Sequence, residues 1–149
     1  MSSDLWSFAL TFYARPGIEA ACLRLQQQGA DVCLLLCAAW LQQCGVACTP
    51  ARAAALSELA EPWQREVITP LRQLRQGWRE AAGHNEGLRA LREQIKSVEL
   101  QAERQLLERL QEAVDSWLKG ETQGDWLTAV AGQHDRDALD LLRVAITHT

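Results

Sequence analysis

An all-α fold follows from three features of this 149-residue sequence. Apolar residues recur at steps of three and four, proline and glycine punctuate the periodic segments, and no stretch alternates apolar with polar in the manner of a strand. The expected architecture is a single-domain helical bundle of about seven helices. It has a central apolar helix at 32–44 and a long helical hairpin, 62–82 against 86–118. A chain of this length buries a sizeable core without disulfides or metal.

Each element has a start and a stop. Asp4 caps a first helix at 5–14, which ends before Pro16-Gly17. A second, at 18–28, ends at Gly29. Asp31 caps the third, with Gly45 in the C′ position that favours left-handed backbone. Thr49-Pro50 is an N-cap followed by an N1 proline and opens a short fourth helix reaching residue 60. From Pro62 onward, Trp63, Val67, Leu71, Leu74, Trp78 and Ala82 form one apolar stripe, and Pro70 inside it either kinks that helix or begins a new one. Asn85 caps the long helix. A short apolar segment around 126–130 and a helix at 136–146 complete an acidic C-terminal part, 120–149.

Composition is that of an ordinary soluble globule, 48% apolar and 23% charged. Six tryptophans against two phenylalanines and one tyrosine stand out, and tryptophan anchors cores or interfaces. The net charge of −4 places a nucleic-acid partner behind a protein partner. The N-terminus puts Asp4 where a signal peptide has its basic region, and no apolar run approaches the ~20 residues of a membrane span. With an odd count of five cysteines, a cytoplasmic protein with reduced thiols and no membrane partner is expected.

The stretch DVCLLLCAAWLQQCGVAC carries Cys33, Cys37, Cys44 and Cys48. At ~100° per residue Cys33, Cys37, Trp40 and Cys44 share one narrow helix face. Leucine and alanine fill the rest of the circumference, which describes a helix enclosed by others. A zinc site needs four ligands converging on one point. Cys44 stands roughly 10 Å along the axis from Cys37, so Cys22 or Cys48 would have to fold back. Core packing is the leading reading; a thiol or metal protein built on this cluster is a remote alternative.

Several of these residues also carry a resemblance. Trp6, Phe8, Tyr13, Gly17, Ile18, Ala21 to Leu23, Gln26, Gly29, Asp31, Val32 and Trp40 match a pattern of W-x-F, a Tyr before Gly-Ile, A-C-L-x-L-Q, then G-x-D-V and a Leu-rich run ending in Trp. The chain resembles, over residues 4–115, a family of small uncharacterised proteobacterial proteins. The resemblance implies a bacterial cytosolic protein and no particular mechanism.

Two surfaces are candidates for function. Arg65, Arg72, Arg75 and Arg79 fall within about 80° of arc, away from the apolar stripe of the same helix. An exposed row of four arginines holds phosphates, nucleic acid or an acidic partner; alternatively it is a solvated face paired with Glu61, Glu80 or an acidic neighbour. The second surface is the far end of the long helix, where Leu106, Leu110, Val114 and Trp117 continue its stripe beyond the reach of the hairpin partner. Either the C-terminal helix folds back over them, or they meet a second copy or a partner.

No catalytic constellation is visible. The segment HDRDALD offers His134, Asp135, Asp137 and Asp140, but Asp135 serves equally as the cap of the last helix. There is no G-x-S-x-G and no phosphate-binding glycine loop. The expectation is a non-enzymatic cytosolic protein without a cofactor, monomer or homodimer, that acts by binding another macromolecule, most of all a protein. Nucleic-acid or anion binding through the arginine row is the alternative.

Overall fold

The computed structural model describes residues 4–117, 125–131 and 136–147. It is all-α, and the caps predicted at Asp4, Asp31, Thr49 and Asn85 are present. In α1 (Leu5–Tyr13) Asp4 accepts the Ser7 N–H at 2.8 Å. After α2 (Ile18–Gln27), Asp31 accepts the Leu34 N–H at 3.1 Å to begin α3 (Val32–Cys44). Thr49 caps α4 (Pro50–Trp63) and Asn85 caps α7 (Glu86–Val114) in the same way. Each cap satisfies a backbone donor that the first helical turn leaves without a partner. Gly45 closes α3 at φ +75°, a conformation that a side chain disfavours.

The break expected at Pro62 is absent. Helix α4 runs through it into a five-residue π turn, Gln64–Ile68, and on into α5 (Thr69–Gly77) and α6 (Arg79–Ala82). Pro70 neither restarts nor ends the helix. Its ring lacks an N–H and would press on the carbonyl of Glu66 in a regular α-helix, and the wider π turn just before it relieves that contact.

Helix α3 is the centre of the molecule. All ten residues from Val32 to Leu41 are buried, and α1, α2, α4, α7, α8 (Trp126–Ala131) and α9 (Arg136–Thr147) pack around it. Tryptophans pin the outer helices to their neighbours. Trp126, fully buried, donates to the Val46 carbonyl at 2.7 Å, and Trp63 donates to the Ala102 carbonyl at 2.9 Å. Side-chain amides serve as remote caps: Gln111 accepts the Leu5 N–H and Gln42 the Trp126 N–H.

The end of the long helix is covered, but mostly by other helices than the one expected. Leu106, Leu110 and Val114 are buried, and the distal half of α7 packs against α1, α3 and α4. Helix α9 lies on α2 and α3 instead, where Leu139 and Leu142 are buried and Arg15 donates to the Ala145 carbonyl at 2.7 Å. Among the described residues, the tail meets the stripe at its tip, where Trp126 stacks on Trp117 at 5.9 Å. The predicted last residue of this helix, Leu118, lies outside the described residues, as do His134 and Asp135. No described helix is long and apolar enough to cross a membrane.

Burial sets the thiol chemistry. Cys22, Cys33 and Cys37 are buried, while Cys44 and Cys48 are half-buried. Removal from water pushes Cys22 and Cys37 up to about 12, and Cys33 well above the ordinary thiol range. In native buffer at pH 8, alkylation should therefore stop at Cys44 and Cys48. The other three should react only after unfolding, as read by mass spectrometry of peptides; native labelling of Cys33 or Cys37 contradicts the burial described.

Candidate binding groove

The arginine row does not form one exposed surface. Arg65 is exposed and paired with Glu61 of its own helix, and Arg79 is exposed. Arg72 and Arg75 turn inward onto α7. Arg75 Nε donates to Glu99 at 2.6 Å and Arg72 Nε donates to the same carboxylate at 3.3 Å. Glu99 is 6% exposed, the one buried charged residue among those described. Arg92 donates to the Arg75 carbonyl at 2.8 Å and closes this corner. The inward line of this helix is Ile68, Arg75 and Ala82, which lies between the apolar stripe and the arginine row. Leu74, expected in the core stripe, is consequently 43% exposed.

Two more carboxylates border the pair. Asp31, the cap of α3, also accepts from Gln64 at 2.7 Å, a side chain supplied by the π turn. Burial nevertheless raises its carboxyl above the usual range, against the hydrogen bonds from Leu34 and Gln64. Glu103, one turn beyond Glu99 on α7, has a single ion-pair contact among the described residues, Arg72 Nη2 at 3.9 Å. Burial pushes its carboxyl up to about 7, Glu99 adds to the rise, and Arg72 and Arg75 oppose it.

Glu103 also faces a groove of about 370 Å³ that the sequence did not reveal. Its floor is the Val32, Cys33 and Leu36 face of α3. One wall is α1, with Trp6, Leu10 and Tyr13; the other is α7, with Leu100, Glu103 and Leu107. Glu19 and Gln26 of α2 close one side. The lining is mainly apolar with a few convergent polar groups, the composition of a binding cleft. Leu10 and Leu100 are each 52% exposed. The Tyr13 hydroxyl is pushed up to about 12 by burial, with nearby Cys22, Glu19 and Glu103 adding to it, so it stays a neutral donor. Cys33 donates its thiol proton to the Glu103 backbone carbonyl at 3.8 Å. Arg104 stacks over Trp6 at 4.9 Å and pairs with Glu108.

The other sequence candidates lie away from this groove. Leu106, Leu110 and Val114 belong to the core, and Trp117 is half-buried beneath Arg52. Asp140 pairs with Arg143 at 2.8 Å, and His84 is exposed in the turn after α6. Among the described residues no three His, Cys, Asp or Glu side chains converge to hold a metal. Only hindsight finds a signal for the groove: Glu99 and Glu103, spaced four apart, interrupt a face that carries Ile95, Ala102 and Leu106.

A family profile described as "Protein of unknown function (DUF2390)" matches residues 4–110, which include every residue that lines the groove. No curated protein and no solved structure matches the chain.

Two outcomes follow. Arg75→Glu places a second carboxylate beside buried Glu99 and should cost about 3–5 kcal/mol in chemical denaturation, whereas Arg79→Glu should stay within about 0.5 kcal/mol. Equal effects would mean that the pair is not buried. The second concerns pH. Glu103 holds its proton more tightly folded than unfolded, so its contribution to stability is full below about 4.5 and is lost as pH rises through about 7. That loss is on the order of 3 kcal/mol. Denaturation of Glu103→Gln beside the parent protein should show the difference growing with pH across this window; parallel curves would place Glu103 in water.

Proposed function

We propose that this chain, which belongs to the DUF2390 family, is a non-enzymatic bacterial cytoplasmic protein that binds another protein through the groove between α1, α3 and α7. The observation that carries the reading is the pair Leu10 and Leu100, both half-exposed, which line one apolar cleft together with Trp6. Large apolar side chains at the mouth of a concave surface gain from a partner that removes them from water. A rigid floor favours this use. Helix α3 is enclosed on its other sides and offers a preformed surface, so little ordering cost attends binding.

A binding role without catalysis is supported by the polar groups of the cleft. The Cys33 thiol keeps its proton and donates it to a backbone carbonyl, and the Tyr13 phenol stays neutral, so neither is the ionised nucleophile that covalent catalysis needs. The anion-binding alternative loses its support, because Arg72 and Arg75 are engaged with Glu99.

A photo-crosslinking amino acid at position 10 or 100 should capture a protein in the native cytosol, while the same group at position 79 should not. Leu10→Asp combined with Leu100→Asp should lower capture by an otherwise unchanged crosslinker at position 6 at least tenfold. Crosslinking from position 79 that equals that from 10 and 100 would move the interface to the hairpin and sink the groove.

A further inference from the structure

We infer that the group entering the inner end of this groove is a primary ammonium on an alkyl stem, the side chain of a lysine presented by the partner, and that it pairs with Glu103. The inference rests on the groove being the binding site and adds the chemistry of what enters it.

The first argument is a charge imbalance. Asp31, Glu99 and Glu103 form a cluster that, among the described residues, has Arg72 and Arg75 as its cations. Both guanidiniums are committed to Glu99, at 3.3 and 2.6 Å, and Asp31 is held by neutral donors. Glu103 keeps the longest contact of the set, 3.9 Å. A cluster of three acids and two bases away from bulk water must take up either a proton or a third cation. The groove is the direction from which that cation can come, because Glu103 lines it.

The second argument is shape and surroundings. The groups facing Glu103 are Tyr13 from α1, Glu19 from α2, Asp31 and Cys33 from the start of α3, Arg72 and Arg75 from α5, and Glu99 on α7. On the groove side these are acids or neutral groups. Arg104, the nearby cation of α7, is drawn to Glu108 and stacked on Trp6. An alkyl stem would lie along Leu36, Leu100 and Leu107 and bring its charged end to the carboxylate. Lysine has this build, an apolar stem with a compact charged head. A carboxylate or phosphate at the same point would meet like charge.

Pairing with a cation requires ionised Glu103, so binding is linked to proton release. With half-ionisation near pH 7, affinity for an ammonium rises about tenfold from pH 6 to pH 8.

The test uses two blocked dipeptides, acetyl-leucyl-lysine amide and acetyl-leucyl-norleucine amide, which keeps the four-carbon stem without the ammonium, titrated into the labelled protein by NMR. Shifts of the Leu36, Leu100 and Leu107 amides report occupancy. The lysine peptide should bind at least tenfold tighter than the norleucine peptide at pH 8, and its affinity should fall about tenfold at pH 6. Glu103→Gln should abolish both effects, with its melting curve confirming the fold. Leu100→Glu, which leaves the ion cluster untouched, should strengthen lysine binding and weaken norleucine binding. If norleucine binds as well as lysine, the groove stands and the lysine inference is overturned. A pH dependence that survives in Glu103→Gln overturns it equally. If neither peptide shifts those amides, the groove itself is not the site and both readings fall.

Discussion

The structure depends on a helix that has no polar side. Ten consecutive buried residues in α3 mean that no orientation of this segment leaves it stable in water, so the rest of the chain must enclose it. This requirement explains where the other helices go. The tail packs on α3 and α2 because part of that circumference is otherwise bare, and the distal half of α7 covers another part together with α1. The groove is the strip of α3 left between α1 and α7, and it inherits its apolar floor from that helix. Groove and core are thus two sides of one element.

Against this apolar centre stands a corner of unusual polarity. Glu99 is buried with its charge because two arginines from the facing helix meet it, and breaking such a pair costs more than forming it gains. The two arms of the hairpin are therefore joined by an electrostatic contact at one level and by Trp63 at the next, where its indole N–H reaches the Ala102 carbonyl and Arg109 stacks on the ring at 3.9 Å. Arginine over tryptophan recurs at Trp6 and Trp117. Each guanidinium covers a ring that the core does not fully enclose while its own charge stays near water.

Local chemistry was legible in the sequence and assembled chemistry was not. The caps Asp4, Asp31, Thr49 and Asn85 could be read because a cap depends on a few consecutive residues. The central position of α3 could be read because its composition allows nothing else. The groove could not, since Leu10, Leu36 and Leu100 come from three separate helices and each alone is an ordinary apolar residue. Arg72 and Arg75 look like surface side chains because arginine usually is one, and their partner lies more than twenty positions away. The tail defeated sequence reasoning for a related reason. Both α7 and α2–α3 offer apolar faces to α9, and periodicity does not rank them.

The π turn has one more consequence, which concerns phase. Along the rod from Pro50 to Ala82 the inward positions are Ala53, Ala60, Ile68, Arg75 and Ala82, separated by seven, eight, seven and seven residues. The single step of eight falls across Gln64–Ile68. A regular helix would carry this extra residue as a rotation of about 100°, turning everything beyond it away from α7. The wider turn absorbs it, so that two helical stretches of different frame present one continuous face. Substitutions within the turn leave that frame intact. Deleting or inserting one residue there would swing Arg72 and Arg75 off Glu99 as a unit, making chain length in this short segment a stricter constraint than the identity of its side chains.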